Sequence, residues 1–490
     1  MSAGRHAVII GGGLGGLALA LRLSVSGWSV RLFEQGPSLG GKMNRWSKDG
    51  FTFDTGPSLI TMPFVFRELF QSAGEKLEDH LELVQVEPHA RYVYPDGARF
   101  DVSNRLPDWL ETLRNLEPRA DSAFLEFMRL GARIFDLSQE TFFRTSPREF
   151  GRPPDPAALR HFPLRDAWGL YSETVARYFR SPVLRQLYER YPTYVGSSPY
   201  RCPATLCVIP YIEHVFGAWH VRGGLYSIVE TVADLARRNG AVLETGRRVA
   251  RILTTDRRVR AVELEDGETV ECDAAVLNGD ASTAGALLGE PGTGELPEDE
   301  RSLSGFVMLV GLRRRLPDQT HHTVYFSEDY PREFRQLFDE MRFPDDPTVY
   351  VCIPGRTDAS VAPPGGEALF IMANAPASGA PEWDDETTRR ARSRVLERLR
   401  RSGFPGIETD IVVESIWTPA RMAQTYSMPG GAIYGKHSHG WANAFLRPPN
   451  RDHRYRGMYY VGGSTHPGGG TPTVLMSARI TKELMERYEG

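Results

Sequence analysis

The sequence predicts an α/β fold in which one discontinuous, Rossmann-like domain is assembled from both ends of the chain around an inserted α+β segment. Three observations carry this. An apolar run at 6–10 leads into Gly11-Gly-Gly-Leu-Gly-Gly16 and then the helix-forming 17–23. The tail repeats that logic, with a strand at 458–461, a glycine-rich turn and a helix from about Thr473. Between them the chain is helix-compatible over 106–221 and strand-rich over 305–375, so the two ends belong to one discontinuous unit.

Taken in order, the first strand, glycine turn and helix form the opening βα of a Rossmann-like domain. The second strand, 28–34, ends on Glu34, 18 residues after Gly16. Residues 225–238 read as an amphipathic helix, and 241–244, 248–255 and 260–265 alternate as short strands. The segment 274–277 is a buried strand, and 387–401 a polar helix. The expected division is 1–100, 225–300 and 415–490 for the discontinuous nucleotide domain. A helical segment at 101–224 and a strand-rich segment at 301–414 make the inserted substrate domain.

Composition narrows the class. With 41% hydrophobic and 24% charged residues the 490-residue chain is globular rather than disordered. A net charge of -4 provides no basic field for nucleic acid. Only five of the 58 basic residues are lysine, which reads as codon bias before it reads as a binding surface. No stretch reaches the roughly 18 apolar residues of a membrane span, and no secretory leader is expected. Cys202, Cys207, Cys272 and Cys352 lack CxxC spacing, so neither disulfides nor a metal site is expected, and a reducing cytoplasm is.

Gly11-x-Gly13-x-x-Gly16 fits the dinucleotide fingerprint: a tight turn, close backbone approach to a pyrophosphate, and helix packed on strand. The helix N-terminus beyond it suits phosphate, and Glu34 suits ribose hydroxyls. FAD rather than NAD follows from a second glycine pair with a lysine, Gly40-Gly41-Lys42, from Gly50–Ser58, and from the glycine-rich entry to the last helix. That entry suits the N1–O2 edge of an isoalloxazine.

The segments GGGLGG, FEQGPSLGGKMNRW, GFTFDTGPS, WHVRGGLYSIV, FLRPPNRD and GGSTHPGGGTPTVLMSARIT together resemble the bacterial-type phytoene desaturase family, within the flavin amine oxidase superfamily. The resemblance spans nearly the whole chain and implies a GR2-type FAD-binding domain. It implies that Gly11, Gly13, Leu14, Gly15, Gly16 and Glu34 hold the ADP half, with Gly41 and Lys42 near the pyrophosphate. Gly463, Thr473 and Val474 fall near the ribityl and flavin, and Asp54, Gly56, Pro57 and Ser58 near the isoalloxazine. Val249 falls at the adenine and Asp280 on a flavin-side loop.

The implied activity is desaturation of a linear carotenoid by hydride transfer to FAD. Alternatives within the fold are an end-group desaturase or oxygenase and a carotene isomerase; further off lie an amine oxidase and a non-catalytic carotenoid-binding flavoprotein. No catalytic residue is assigned, since a polyene has no acidic proton to abstract, and His466 reads either as a turn residue bonding backbone or as a proton-handling group. A lipophilic substrate implies a peripheral position on the inner face of the membrane. The aromatic and arginine-rich stretch 165–200 admits nucleic-acid stacking, which the net charge and FAD motifs disfavour, a buried core, or a membrane-facing helical lid, and 203–212 is an alternative contact.

Overall fold

The structure is a computed structural model that describes residues 5–146, 149, 169–290, 296–379, 382–404 and 406–489. Two sheets organise them.

The first sheet has five parallel strands in the order Met458–Tyr460, Ala274–Leu277, His6–Ile10, Ser29–Glu34, Val242–Thr245. Its inner strands are near-continuous apolar runs because both faces are covered. Ala7 and Ile9 face a layer containing Leu17, Leu21, Val232, Leu475 and Ala478, drawn from the helices Leu14–Val25, Tyr226–Arg238 and Thr471–Glu489. Val8 and Phe33 point the other way, onto Val249, Ile252 and Val262 of a three-stranded antiparallel sheet. The period of two along the strand thus fixes which layer each residue meets.

The second sheet has seven strands in the order Ile411–Trp417, Ser304–Leu312, Glu367–Ala375, Val349–Cys352, His322–Tyr325, Ala90–Val93, Arg99–Val102. All neighbours are antiparallel except His322–Tyr325 with Ala90–Val93. Ser304–Leu312 is buried along its whole length. Phe306, Met308 and Val310 face the helix Asp385–Arg401 through Val395, Leu396 and Leu399. Val307 and Leu309 face the inserted helical segment through Phe127, Leu187 and Tyr188.

Two expectations shift. Ala90–Val93, placed by sequence in the nucleotide unit, and Arg99–Val102, which straddles its expected end at 100, pair in the second sheet, as does all of Ile411–Trp417, which straddles the expected boundary at 415. A short half-buried strand carries no local mark of which sheet it joins. The aromatics of the 165–200 stretch are core: Tyr171, Phe179 and Tyr188 are fully buried, Tyr191 nearly so, and Arg190 is buried beside them. They are therefore not available to form a membrane-facing lid, while Trp168 lies outside the described residues. Among those residues no helix is long and apolar enough to cross a membrane.

Candidate cofactor site

The glycine turn sits at the carboxyl ends of the parallel strands, where open α/β sheets bind ligands. Gly11 has φ +104°, reserved in practice for glycine. A Cβ on Gly16 would lie 2.4 Å from Gly11 O, so the third glycine lets the helix seat on the strand. At Gly13 φ is an ordinary -70°. The requirement there is space, since a Cβ would meet Asn278 Nδ2 at 3.1 Å and Gly41 Cα at 4.0 Å. Gly40 donates its N–H to Gly12 O at 2.8 Å, which binds the two glycine turns edge to edge.

Glu34 closes this end. Its carboxylate accepts the Gly12 and Gly36 amides, both at 2.7 Å, and each oxygen keeps a lone pair for a hydroxyl. Val249 starts its strand two residues beyond Arg247, whose amide bonds Glu34 O at 2.9 Å, so the expected adenine position stands beside the expected ribose position.

Leu14 is buried at the helix start, and Gly15 is where the chain ends meet. A Cβ there would lie 3.0 Å from Val474 Cγ1 and 3.3 Å from Gly462 Cα. Gly463 continues this wall, a Cβ on it lying 3.9 Å from both Lys42 Nζ and Val474 Cγ2. The Thr473 hydroxyl hydrogen is shared between the Gly469 and Gly470 carbonyls, both at 2.9 Å, and fixes the helix entry.

Lys42 donates to Ile433 O and retains accessible surface. Even so, burial by the surrounding protein holds its ammonium below the ordinary lysine value against the pull of Asp280. Asp280 caps the turn Ala281–Thr283 by accepting the Ser282 amide at 3.0 Å. Ser464 ties that turn to the tail motif by accepting the Ala281 amide at 2.9 Å.

The segment Asp54, Gly56, Pro57, Ser58 divides. Asp54 accepts the Leu225 and Tyr226 amides at 2.8 and 3.1 Å, capping a helix N-terminus, and burial pushes its carboxyl up to about 6. A Cβ on Gly56 would collide with Lys42 O at 1.8 Å, so these two loops run in backbone contact, with Pro57 between Gly56 and Ser58. Ser58 turns the other way, its hydroxyl 2.6 Å from Tyr350 Oη. His466 is fully buried, with Nε2 2.6 Å from Phe142 O, and burial pushes its imidazole down to about 4.

Two residues escaped the sequence reading. Asn278 ends the strand Ala274–Leu277 and donates Nδ2 to Gly11 O at 3.0 Å, pinning the turn. Its signal was a polar residue at the carboxyl end of a buried strand. Arg447, in FLRPPNRD, is buried and lowered to about 10 by loss of solvation, with Asp280 opposing. It donates to Ser438 Oγ at 3.0 Å and Tyr434 O at 3.3 Å.

Residues 14–481 match the family described as flavin containing amine oxidoreductase. The chain belongs to this family. A zeta-carotene-forming phytoene desaturase of Myxococcus xanthus is 36% identical over 488 residues, covering 98% of this chain and 94% of the relative. A 4,4'-diapolycopene oxygenase of Methylomonas sp is 34% identical over 490 residues, covering 98% and 97%. These relatives place the chain in the carotenoid desaturase branch of the family. An oxidoreductase from Methanosarcina mazei shares the fold at TM-score 0.64 and 17% identity, over 98% of this chain and 100% of that one.

FAD is the family's cofactor and this chain's, and the residues present fit it. Side-chain-free backbone at Gly13, Gly41 and Gly463 lines one path from Glu34 to the last helix. Lys42 and the N-terminus of that helix place positive charge along it.

Proposed function

We propose that this protein desaturates a linear carotenoid, with the chain supplying binding and orientation and FAD the redox chemistry. The observation that carries the reading is 36% identity with a phytoene desaturase over 98% of this chain, joined to a glycine-lined site whose titratable neighbours are already engaged. Glu34 is bonded to two amides, Asp54 to a helix N-terminus and His466 to a carbonyl. FAD, when bound, supplies a two-electron acceptor for a hydride from an allylic carbon. Lys42, Gly463 and Thr473 hold that end of the cofactor, and the apolar cores on either side keep water out.

A second reading, oxidation at a substrate end group, is favoured by one feature of the inserted half. Arg190, Tyr92, Tyr194, His89 and Glu213 form a buried polar cluster, with Arg190 3.0–3.1 Å from both hydroxyls and His89 2.9 Å from Glu213. Polar groups of this kind in the inserted half suit an oxygenated terminus better than a pure hydrocarbon. Expression in cells that accumulate phytoene, or terminally oxygenated carotenoids, separates the two. Red-shifted pigments from phytoene support desaturation, whereas oxygenated products alone support the second reading.

For delivery of such a substrate we infer a peripheral membrane contact at Phe64 and Val215. Both are exposed, and Phe64 packs on Phe216 at 5.2 Å. Liposome flotation should lift the protein, and Phe64→Ser with Val215→Ser should leave it in the soluble fraction. Equal flotation of parent and double variant would move the contact elsewhere.

A further inference from the structure

The second sheet holds a cluster that this chemistry does not use. The antiparallel register places His322 directly opposite Cys352, so their side chains share one face. His321 precedes it, and its carbonyl accepts the Ile353 amide at 2.8 Å. One ring nitrogen of each histidine and Cys352 Sγ all lie within 4.8 Å of one another, and all three residues are buried. His220, on the strand Trp219–Val221, sets its ring 5.0 Å from that of His321.

The nitrogens are divided in an informative way. Nδ1 of His322 meets the Tyr350 hydroxyl at 2.7 Å, and Nδ1 of His321 meets the Thr357 hydroxyl at 2.6 Å. The Nε2 atoms of both, and both nitrogens of His220, have no hydrogen-bond partner among the described residues, although each residue is at most 3% exposed. Leaving one buried polar atom unpaired costs about 1–3 kcal/mol, so four in one knot demand a partner. An imidazole with one nitrogen oriented by an outer hydroxyl and the other free has the geometry of a metal ligand.

We propose that His321, His322, Cys352 and His220 form a structural transition-metal site of the zinc class. Imidazole and thiolate select such an ion over magnesium or calcium, which require oxygen ligands. With metal–nitrogen and metal–sulfur bonds of about 2.0–2.3 Å, tetrahedral donors stand roughly 3.3–3.7 Å apart, so the His321, His322 and Cys352 donors close by about an ångström and His220 turns in as the fourth. On binding, Cys352 releases its thiol proton to solvent and coordinates as thiolate, and no electron is transferred. Asp358 Oδ2, 4.0 Å from His220 Nε2, is placed to orient that ring through an outer carboxylate, leaving Nδ1 for the metal. The site would staple the second sheet to Trp219–Val221, which is itself bridged to Ile60 beside the Asp54–Ser58 loop.

The test uses the full-length, tag-free, FAD-loaded protein equilibrated with zinc and then dialysed against metal-free buffer. Elemental analysis should find one zinc per chain. Cys352→Ser and His321→Ala should each reduce that at least about tenfold, with FAD content and circular dichroism unchanged. If either variant does not fold, cobalt-substituted parent decides: tetrahedral d–d bands must appear at wavelengths beyond flavin absorption. A parent that takes up neither zinc nor cobalt, or folded variants that retain the full equivalent, would overturn the site. Because FAD content is read separately, these outcomes are independent of the carotenoid reading.

Discussion

At the candidate cofactor site of the nucleotide half, polar side chains are satisfied by backbone: Glu34 takes two amides, Asn278 a carbonyl, and Thr473 two carbonyls. In the seven-stranded half side chain meets side chain. Glu213 lies against His89, Arg190 against Tyr92 and Tyr194, and Tyr350 between Ser58 and His322. The first arrangement tolerates most side-chain changes and fails when space is filled. The second tolerates changes of volume and fails when a buried charge loses its partner.

The largest expected effect breaks the first half by filling space. Gly13→Val should lower FAD retention by more than about tenfold, because the new methyls enter the gap between the two glycine turns. Flavin absorbance per folded chain measures it, and parental flavin content in the variant would refute the close-approach role.

Next comes removal of a buried charge. Burial alone would raise the Glu213 carboxyl, but His89 and Arg190 override it and hold it at about 2. Glu213→Leu should cost about 3–5 kcal/mol in denaturant unfolding because the buried Arg190 charge loses the carboxylate that offsets it, and adding Arg190→Met should recover much of that. The folded value lies below the ordinary 4.5, so this stabilisation is full above about pH 4.5 and disappears as pH falls to about 2.

A smaller effect separates the halves by pH. Burial, reinforced by His89, pushes the His214 imidazole down to about 3, against its ordinary 6.5. The unfolded chain therefore binds the proton first, and stability is lost as pH falls from 6.5 toward 3. His214→Phe, set among Trp109, Phe124 and Tyr188, should reduce the loss between pH 7 and 5 by about 1–2 kcal/mol. An unchanged pH slope would show that another group carries the acid sensitivity.

The smallest effect is expected at His466. Its Nε2 is held by Phe142 O, so His466→Asn should keep turnover per bound flavin within about tenfold, below the 10²–10⁴-fold that general acid–base catalysis contributes. A dead, fully flavinylated variant would make His466 catalytic.

What could be read in advance follows the same division. The glycine turns, Glu34 and the tail helix are local patterns in which neighbouring residues determine one another's geometry, and they lie where expected. The contact of Gly15 with Val474 and the pinning role of Asn278 needed the strand order of the sheet. His322 and Cys352 have no shared motif and no metal-ligand spacing; only the register of two strands brings them together. The placement of Ala90–Val93 was missed for the same reason, since nothing within four residues specifies a partner strand.

The order of the parallel sheet also bears on synthesis. Its last strand, Met458–Tyr460, pairs beside Ala274–Leu277, and the helix that follows supplies Val474 against Gly15. A nascent chain on the ribosome therefore carries an open, apolar edge at Ala274–Leu277 while the last five strands of the second sheet are translated, an aggregation hazard until it is covered. If the tail forms one wall of the flavin site as proposed, cofactor retention is expected only after this segment has emerged, and flavin loading would then mark arrival of the last helix.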